Sequence, residues 1–333
     1  NMPAAIMAMA RLNIPSVFVY GGAILPGNFK GKDINIQDMY EAVGAYSQGS
    51  LSLDDLIGME KVACPGEGAC SGMFTANTMS TAIEALGMSL PGAASIPAVD
   101  PRNEEVAYNI GKTMYHLLEE DIKPRDIMTK DSFENAIKVV LSMGGSTNSV
   151  LHLLAIAHEA KVKISIDDFD RLSRSTPYIT DLRPGGKYVM SDVDRIGGVK
   201  VLMKELLSAG ILKGDVMTVT GKTLEENLSD VQIKPDGKVI YNVSSPRSNT
   251  GGLVILKGNL APEGAVMNVA GTKHLSHSGS AKVFDGERQA FEAVTSGKIK
   301  SGDVLVLRNE GPIGGPGMQE MLAVTGAIMG QGL

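Results

Sequence analysis

Tryptophan is missing from the 333-residue chain, aromatic residues amount to 5%, and there are only two cysteines. Two cysteines cannot build a disulfide framework, so they read as reduced thiols or metal ligands. Apolar stretches are interrupted by Gly, Ser or charged residues well short of the 18 or so needed to span a bilayer, which excludes a membrane helix. Nor is there a long basic run, and the charge sum, 31 − 37 = −6, gives no reason to expect a nucleic-acid surface. What is present is a hydrophobic share of 43% with 20% charged residues, which excludes wholesale disorder. The 39 glycines and 18 methionines describe many tight turns and a soft core. The length suits two domains of roughly 100–200 residues. The expectation is a soluble, intracellular protein.

Both ends read as cut. Asn1-Met2-Pro3 runs straight into helical periodicity with no signal-like leader. The apolar segment 321–329 ends in Gly330-Gln331-Gly332-Leu333, a stop that usually leads into another element. A natural terminus with a short tail is the alternative.

The first half alternates helices with short apolar strands. Asn1 caps a helix with Pro3 in its first turn, and Met2, Ile6, Met9 and Leu12 recur at helical spacing. Residues 17–20 read as a buried strand ending at Gly21-Gly22. Further helices are expected over 36–46, 75–86, 104–120, 132–143, 149–160, 167–174 and 193–207, and Ser52-Leu53-Asp54-Asp55 caps another. Beyond about Gly214 short β-rich runs take over, at 216–219, 239–243, 253–256, 265–269 and 304–307, with one helix over 287–295. These patterns predict an α/β N-terminal domain of parallel sheet layers and helices over residues 1–235. The start of a β-barrel or sandwich follows over 236–333.

Three segments carry residues suited to chemistry. In Cys64-Pro65-Gly66-Glu67-Gly68-Ala69-Cys70-Ser71-Gly72-Met73-Phe74-Thr75-Ala76-Asn77 two thiols bracket a glycine-rich loop at a helix N-terminus, where partial positive charge favours a thiolate or an anion. The Cys-x5-Cys spacing is not that of a zinc knuckle, and two small thiols packed in a turn remain the alternative. Gly144-Gly145-Ser146-Thr147-Asn148 joins two helices and offers N–H, hydroxyl and amide groups to a carboxylate or phosphate, or else simply caps the second helix. In Arg308-Asn309-Glu310-Gly311-Pro312-Ile313-Gly314-Gly315-Pro316-Gly317-Met318-Gln319-Glu320, a carboxylate at a strand end and another in the first helical turns suit a hard cation. A helix-dipole role for Glu320 is the alternative. His274 and His277 lie in a Ser-Gly-rich stretch typical of a surface loop, and His116, His152 and His158 are not spaced as metal ligands.

These segments, with Glu84-Ala85-Leu86-Gly87-Met88-Ser89-Leu90-Pro91-Gly92, resemble in order the dihydroxy-acid/phosphogluconate dehydratase family. The wording Ser71-Gly72-Met73-Phe74-Thr75-Ala76-Asn77 favours the dihydroxy-acid branch over the sugar-acid branch. The resemblance implies loss of water from a 2,3-dihydroxy-3-methyl acid to give a 2-keto acid in branched-chain amino acid biosynthesis. An iron–sulfur cluster acts on the leaving hydroxyl and Mg2+ on the enolate. Carried over by position, Cys64 is one of three cysteine ligands of a [2Fe–2S] cluster, Cys70 has no ligand role, and Glu320 binds Mg2+ with Glu310 in reserve. Ser146, Thr147 and Asn148 are candidates for holding substrate.

The family's Cys-Asp-Lys triplet would precede Asn1, and its Asp-Gly-Arg-Phe-Ser-Gly motif and base serine would follow Leu333. The chain therefore resembles the middle of such an enzyme and is expected to be inactive alone. The resemblance also implies an N-terminal α/β domain, a β-barrel-like C-terminal domain, an active site between them and a homodimer. Location would be cytoplasmic, or mitochondrial or plastid in a eukaryote. The competing readings are a sugar-acid dehydratase, and a non-catalytic fragment or scaffold that binds small anions at its glycine-rich helix starts.

Overall fold

The computed structural model describes residues 1–272, 275–311 and 321–333. The chain begins with α1 (Met2–Leu12), β1 (Gly27–Phe29), β2 (Lys32–Ile34), α2 (Ile36–Ser47) and α3 (Leu53–Glu60). A helical run follows: α4 (Thr75–Ala85), α5 (Arg102–Glu119), α6 (Pro124–Ile127), α7 (Lys130–Met143), α8 (Asn148–Glu159), α9 (Ile166–Ser175), α10 (Met190–Arg195), α11 (Val199–Ser208) and α12 (Leu224–Asn227). Then come β3 (Leu253–Leu256), β4 (Ala265–Asn268), β5 (Ala281–Asp285), α13 (Glu287–Thr295), β6 (Val304–Arg308) and α14 (Leu322–Gly330). They form two compact units, Asn1–Ile24 with Glu67–Thr272 and Leu25–Gly66 with Lys273–Leu333.

The first unit is built on α4 and α7, whose side chains are almost all buried. Met79, Ile83 and Leu86 join Phe133, Ile137 and Leu153 in its core, each contributing about 1.5–3 kcal/mol through burial. Yet α4 also carries Asn77, Ser80, Thr81 and Glu84 inward, at the spacing that puts them on one helix face. Polar groups in such a place need partners. The Ser80 hydroxyl donates to the Asn77 carbonyl at 3.0 Å. The Glu84 carboxylate accepts the N–H groups of Gly92 and Ala94, each at 2.8 Å. Burial pushes the Glu84 carboxyl up to about 7 against the opposing pull of those two N–H groups and of Lys200.

In the second unit α2 and α14 pack at backbone distance. A Cβ on Gly44 would stand 2.3 Å from the Ala327 carbonyl oxygen, and one on Gly330 would stand 1.9 Å from that of Glu41. The Gln331 amide donates to Ser47 at 3.1 Å across the same seam. Asn35 caps α2 by accepting the Gln37 N–H at 2.9 Å, and Ser52 caps α3 by accepting that of Asp55 at 3.1 Å, as its sequence predicts.

The fold is mixed helix and sheet, with small sheets. β1 pairs antiparallel with β2 (Gly27 opposite Ile34), β3 antiparallel with β4 (Leu253 opposite Asn268), and β5 parallel with β6 (Ala281 opposite Val304). Among the described residues there is no closed barrel, and the one parallel pair belongs to the second unit, crossed over by α13. The layered parallel sheet expected in the first half is reduced there to single bridges, such as Ala23 beside Ala69 and Pro97. Residues 17–20 form no strand, and Phe18 donates its N–H to the Met88 carbonyl at 2.8 Å. The runs at 216–219 and 239–243 likewise make only isolated bridges, Met217 with Thr223 and Ile240 with Thr180, because the facing segments are loops. The helix expected over 193–207 is two helices, α10 and α11. Gly197 (φ 108°) and Gly198 (φ 84°) between them adopt left-handed backbone that no helix continues through.

Glu84 makes stability pH-dependent. Its folded value of about 7 lies above the ordinary 4.5, so the native state binds the proton more tightly. That stabilisation is complete below about pH 4.5 and lost as pH rises to about 7, an effect of at most about 3 kcal/mol. Glu84→Gln should flatten this part of the profile while lowering stability at acid pH, because an amide offers one acceptor oxygen to two N–H groups. Urea midpoints between about pH 5 and pH 7.5 check it, and an undiminished slope in the variant would assign the effect elsewhere.

Candidate active site

The glycine-rich loop before α4 is held by the helix that follows it. Asn77, 0% exposed, donates through Nδ2 to the carbonyls of Cys70 and Gly72, the latter at 2.6 Å. Its Oδ1 accepts the Tyr20 hydroxyl at 2.7 Å. Burial raises the Tyr20 phenol above its ordinary value, and charge at Cys70 acts in the same direction, which places the thiol in the phenol's electrostatic reach. Beside Tyr20 a cavity of about 390 Å³ opens, walled by Phe18, Gly22, Gly68, Ala69 and the start of α1.

The second glycine-rich loop meets the same helix. The Ser146 N–H donates to Thr78 Oγ1 at 3.0 Å, and the Ser146 and Thr75 hydroxyls lie 3.0 Å apart. The Asn148 side-chain amide donates to Thr75 Oγ1 at 2.9 Å, and its N–H to Ser146 Oγ at 3.3 Å. This approach needs glycine at 145, since a Cβ there would fall 2.8 Å from the Thr78 methyl and 2.9 Å from a Val140 methyl. The N-termini of α4 and α8 therefore face a shared network of hydroxyls and amides. Neither helix has an acidic residue in its first turn or a hydrogen bond from the side chain of its N-cap residue. Such an end attracts an anion of carboxylate or phosphate type.

Ser146 and Asn148 are brought together with Thr75 and Thr78, and Thr147 is the N-cap position of α8. The two cysteines form no disulfide with each other and are differently placed. Cys64 is exposed and belongs to the second compact unit, whereas Cys70 is half-buried in the first. Glu310 accepts the Glu287 N–H at 2.7 Å, so its carboxylate closes the N-terminus of α13. Glu320 and His274 lie outside the described residues. His277 is exposed, and its ring nitrogen is 3.2 Å from the Gly302 carbonyl oxygen, in keeping with a surface loop. Among the described residues no group of three or more His, Cys, Asp or Glu side chains is arranged to hold a metal. Among the described residues, too, no helix is long and apolar enough to cross a membrane.

Sequence reasoning missed Tyr20, Thr75, Asn77 and Thr78. The signal was present in Thr75-Ala76-Asn77-Thr78-Met79-Ser80-Thr81, where polar residues recur within a helix that has scarcely a charge. Such a stripe is ordinarily a solvated face, and here it is the inner one.

Glu310→Ala should lower stability by about 1 kcal/mol through loss of the α13 cap, and Glu310→Gln should recover most of it. Urea unfolding of the three proteins checks this. A variant that unfolds like the parent would remove the capping role.

The sequence profile described as dihydroxy-acid/6-phosphogluconate dehydratase N-terminal matches residues 1–227, and the corresponding C-terminal profile matches residues 238–333. Among curated proteins, the dihydroxy-acid dehydratase of Sulfurisphaera tokodaii is 57% identical over 333 residues, 99% of this chain and 60% of the relative. The dihydroxy-acid dehydratase of Metallosphaera sedula is 54% identical over 100% of this chain and 60% of its own length, and that of Acidothermus cellulolyticus is 56% identical over 99% and 59%. The chain thus spans about 60% of the length of the curated relatives it matches. With the two profiles matching residues 1–227 and 238–333 and more than half of all positions identical to these proteins, the chain belongs to the dihydroxy-acid/6-phosphogluconate dehydratase family.

Proposed function

We propose that the complete protein is a hydro-lyase that converts a 2,3-dihydroxy-3-methyl carboxylic acid into the 2-keto acid in branched-chain amino acid biosynthesis. In that reaction the C2 proton is removed, the C3 hydroxyl leaves as water, and the enol tautomerises to the ketone. The reading is carried by the relatives named dihydroxy-acid dehydratase, 52–57% identical over essentially the whole chain. The α4 and α8 ends support it, because Thr75, Ser146, Thr147 and Asn148 there are suited to hold a carboxylate with donors already in place. The same reading makes the protein a cytoplasmic homodimer. It divides the chain into an α/β domain over residues 1–235 and a barrel-like domain beginning at 236.

A [2Fe–2S] cluster, when bound, supplies a Lewis acid for the leaving hydroxyl, and Mg2+ stabilises charge on the enolate. The described residues do not complete a shell for either, but they fit one thiolate position. The family motif assigns that thiolate to Cys64. Geometry favours Cys70, which is half-buried in a loop clamped by Asn77 beside the Tyr20 phenol, whereas Cys64 is exposed. Glu320 remains the Mg2+ candidate by motif, since Glu310 already serves α13.

In the complete protein, Cys70→Ala should abolish the visible cluster absorbance. Turnover should fall further than the roughly 10–100-fold typical of losing an outer partner. Cys64→Ala should leave both near the parent level, and the opposite pattern would return the ligand to Cys64. Glu320→Ala should lose Mg2+-dependent turnover without a change in unfolding. Undiminished turnover would transfer that role to Glu310.

Ser146→Ala should raise KM for the dihydroxy acid about tenfold, as expected when a hydrogen bond to a charged group is lost. A KM that does not move would remove Ser146 from the carboxylate site. Turnover of dihydroxyisovalerate against gluconate tests the substrate class, and faster turnover of gluconate would make the protein a sugar-acid dehydratase.

A further inference from the structure

We propose that Asn77 is a positioning residue for the Cys70 thiol. Four backbone groups of the segment 70–73 have defined partners. Asn77 Nδ2 donates to the carbonyls of Cys70 and Gly72, the Met190 N–H donates to the Ser71 carbonyl at 2.7 Å, and the Met73 N–H donates to the Arg183 carbonyl at 2.7 Å. Two of these four backbone bonds come from the one Asn77 side chain, which sits in the first turn of α4 with no exposure to solvent.

The task needs an amide. Two carbonyl oxygens must be met by a donor, and the far end must accept the Tyr20 hydroxyl at 2.7 Å. A carboxylate of the same shape would oppose the two carbonyls with a third acceptor, and alanine would leave both unsatisfied. Tyr20 has a part in this as well. Its hydroxyl engages the oxygen end and so fixes which end of the amide faces the loop.

The inference rests on Cys70 being the cluster thiolate, and its test separates the two claims. In the complete protein carrying Cys64→Ser, the alkylation rate of Cys70 is measured after removal of metal, and the visible circular dichroism after reconstitution with iron and sulfide. Asn77→Asp should speed Cys70 alkylation about tenfold and lower the cluster signal per protein. Tyr20→Phe should give a smaller change in the same direction.

Glu84→Gln is the control for general loosening of α4. Glu84 is equally buried two turns further along the helix and touches Gly92 and Ala94 instead. It should leave Cys70 alkylation at the parent rate. Parent-like alkylation and dichroism in Asn77→Asp would overturn the proposal, as would equal acceleration by Glu84→Gln. Where Asn77→Asp does not fold, Tyr20→Phe decides, and an unchanged alkylation rate and spectrum there would overturn it. Failure of the ligand reading shows separately, as a cluster retained in Cys70→Ala.

Discussion

A helix that carries amides, hydroxyls and a carboxylate into a hydrocarbon core has to find partners for them, and α4 organises the first unit by doing so for all of them but the Thr81 hydroxyl. Asn77 draws in Tyr20 and the Cys70–Gly72 carbonyls. Thr75 and Thr78 draw in Ser146 and Asn148. Glu84 fixes the turn at Gly92 and Ala94. The cost of leaving any of these groups unpaired in the core is about 1–3 kcal/mol, enough to select this arrangement over a slipped one. The hydrophobic neighbours supply most of the burial, while the polar stripe sets the register.

Electrostatics sets the starts of α4 and α8 apart from those of α5, α7 and α9. α5 has Glu104 and Glu105 in its first turn, α9 has Asp167 and Asp168, and α7 has Asp131. Those carboxylates neutralise the helix ends, each worth about 0.3–1 kcal/mol. α4 and α8 forgo that stabilisation at the point where they meet. Their partial positive charge meets no carboxylate of their own first turns, and the surrounding hydroxyls and amides add donors without adding negative charge.

Much of this was legible in the sequence and some was not. Periodicity located α2, α7, α8 and α13 to within a residue or two, because each has a clear apolar face and a recognisable start. Glycine-rich loops pointed to the two segments that meet at the site. Strands fared worse, since 17–20, 216–219 and 239–243 are apolar enough for a sheet but face loops, and pairing depends on residues far away in the chain. Gly197-Gly198 was a visible break that helical periodicity on either side concealed. The choice between Cys64 and Cys70 could not come from spacing, because both flank the same loop; only burial and the Asn77 contacts distinguish them.

The pairing of α2 with α14 has a consequence for how the chain is made. Leu25–Gly66 emerges early and belongs with a segment that starts at Lys273, with Glu67–Thr272 between them. At about 5–20 residues per second, the ribosome takes on the order of 10–40 s over that interval. Throughout it the glycine-lined face of α2 is complete but has no α14 to cover it, while the intervening helices are free to collapse on one another. Biosynthesis thus imposes an order, with the interrupted unit finishing last, and makes the nascent α2 face the segment most in need of protection by a chaperone.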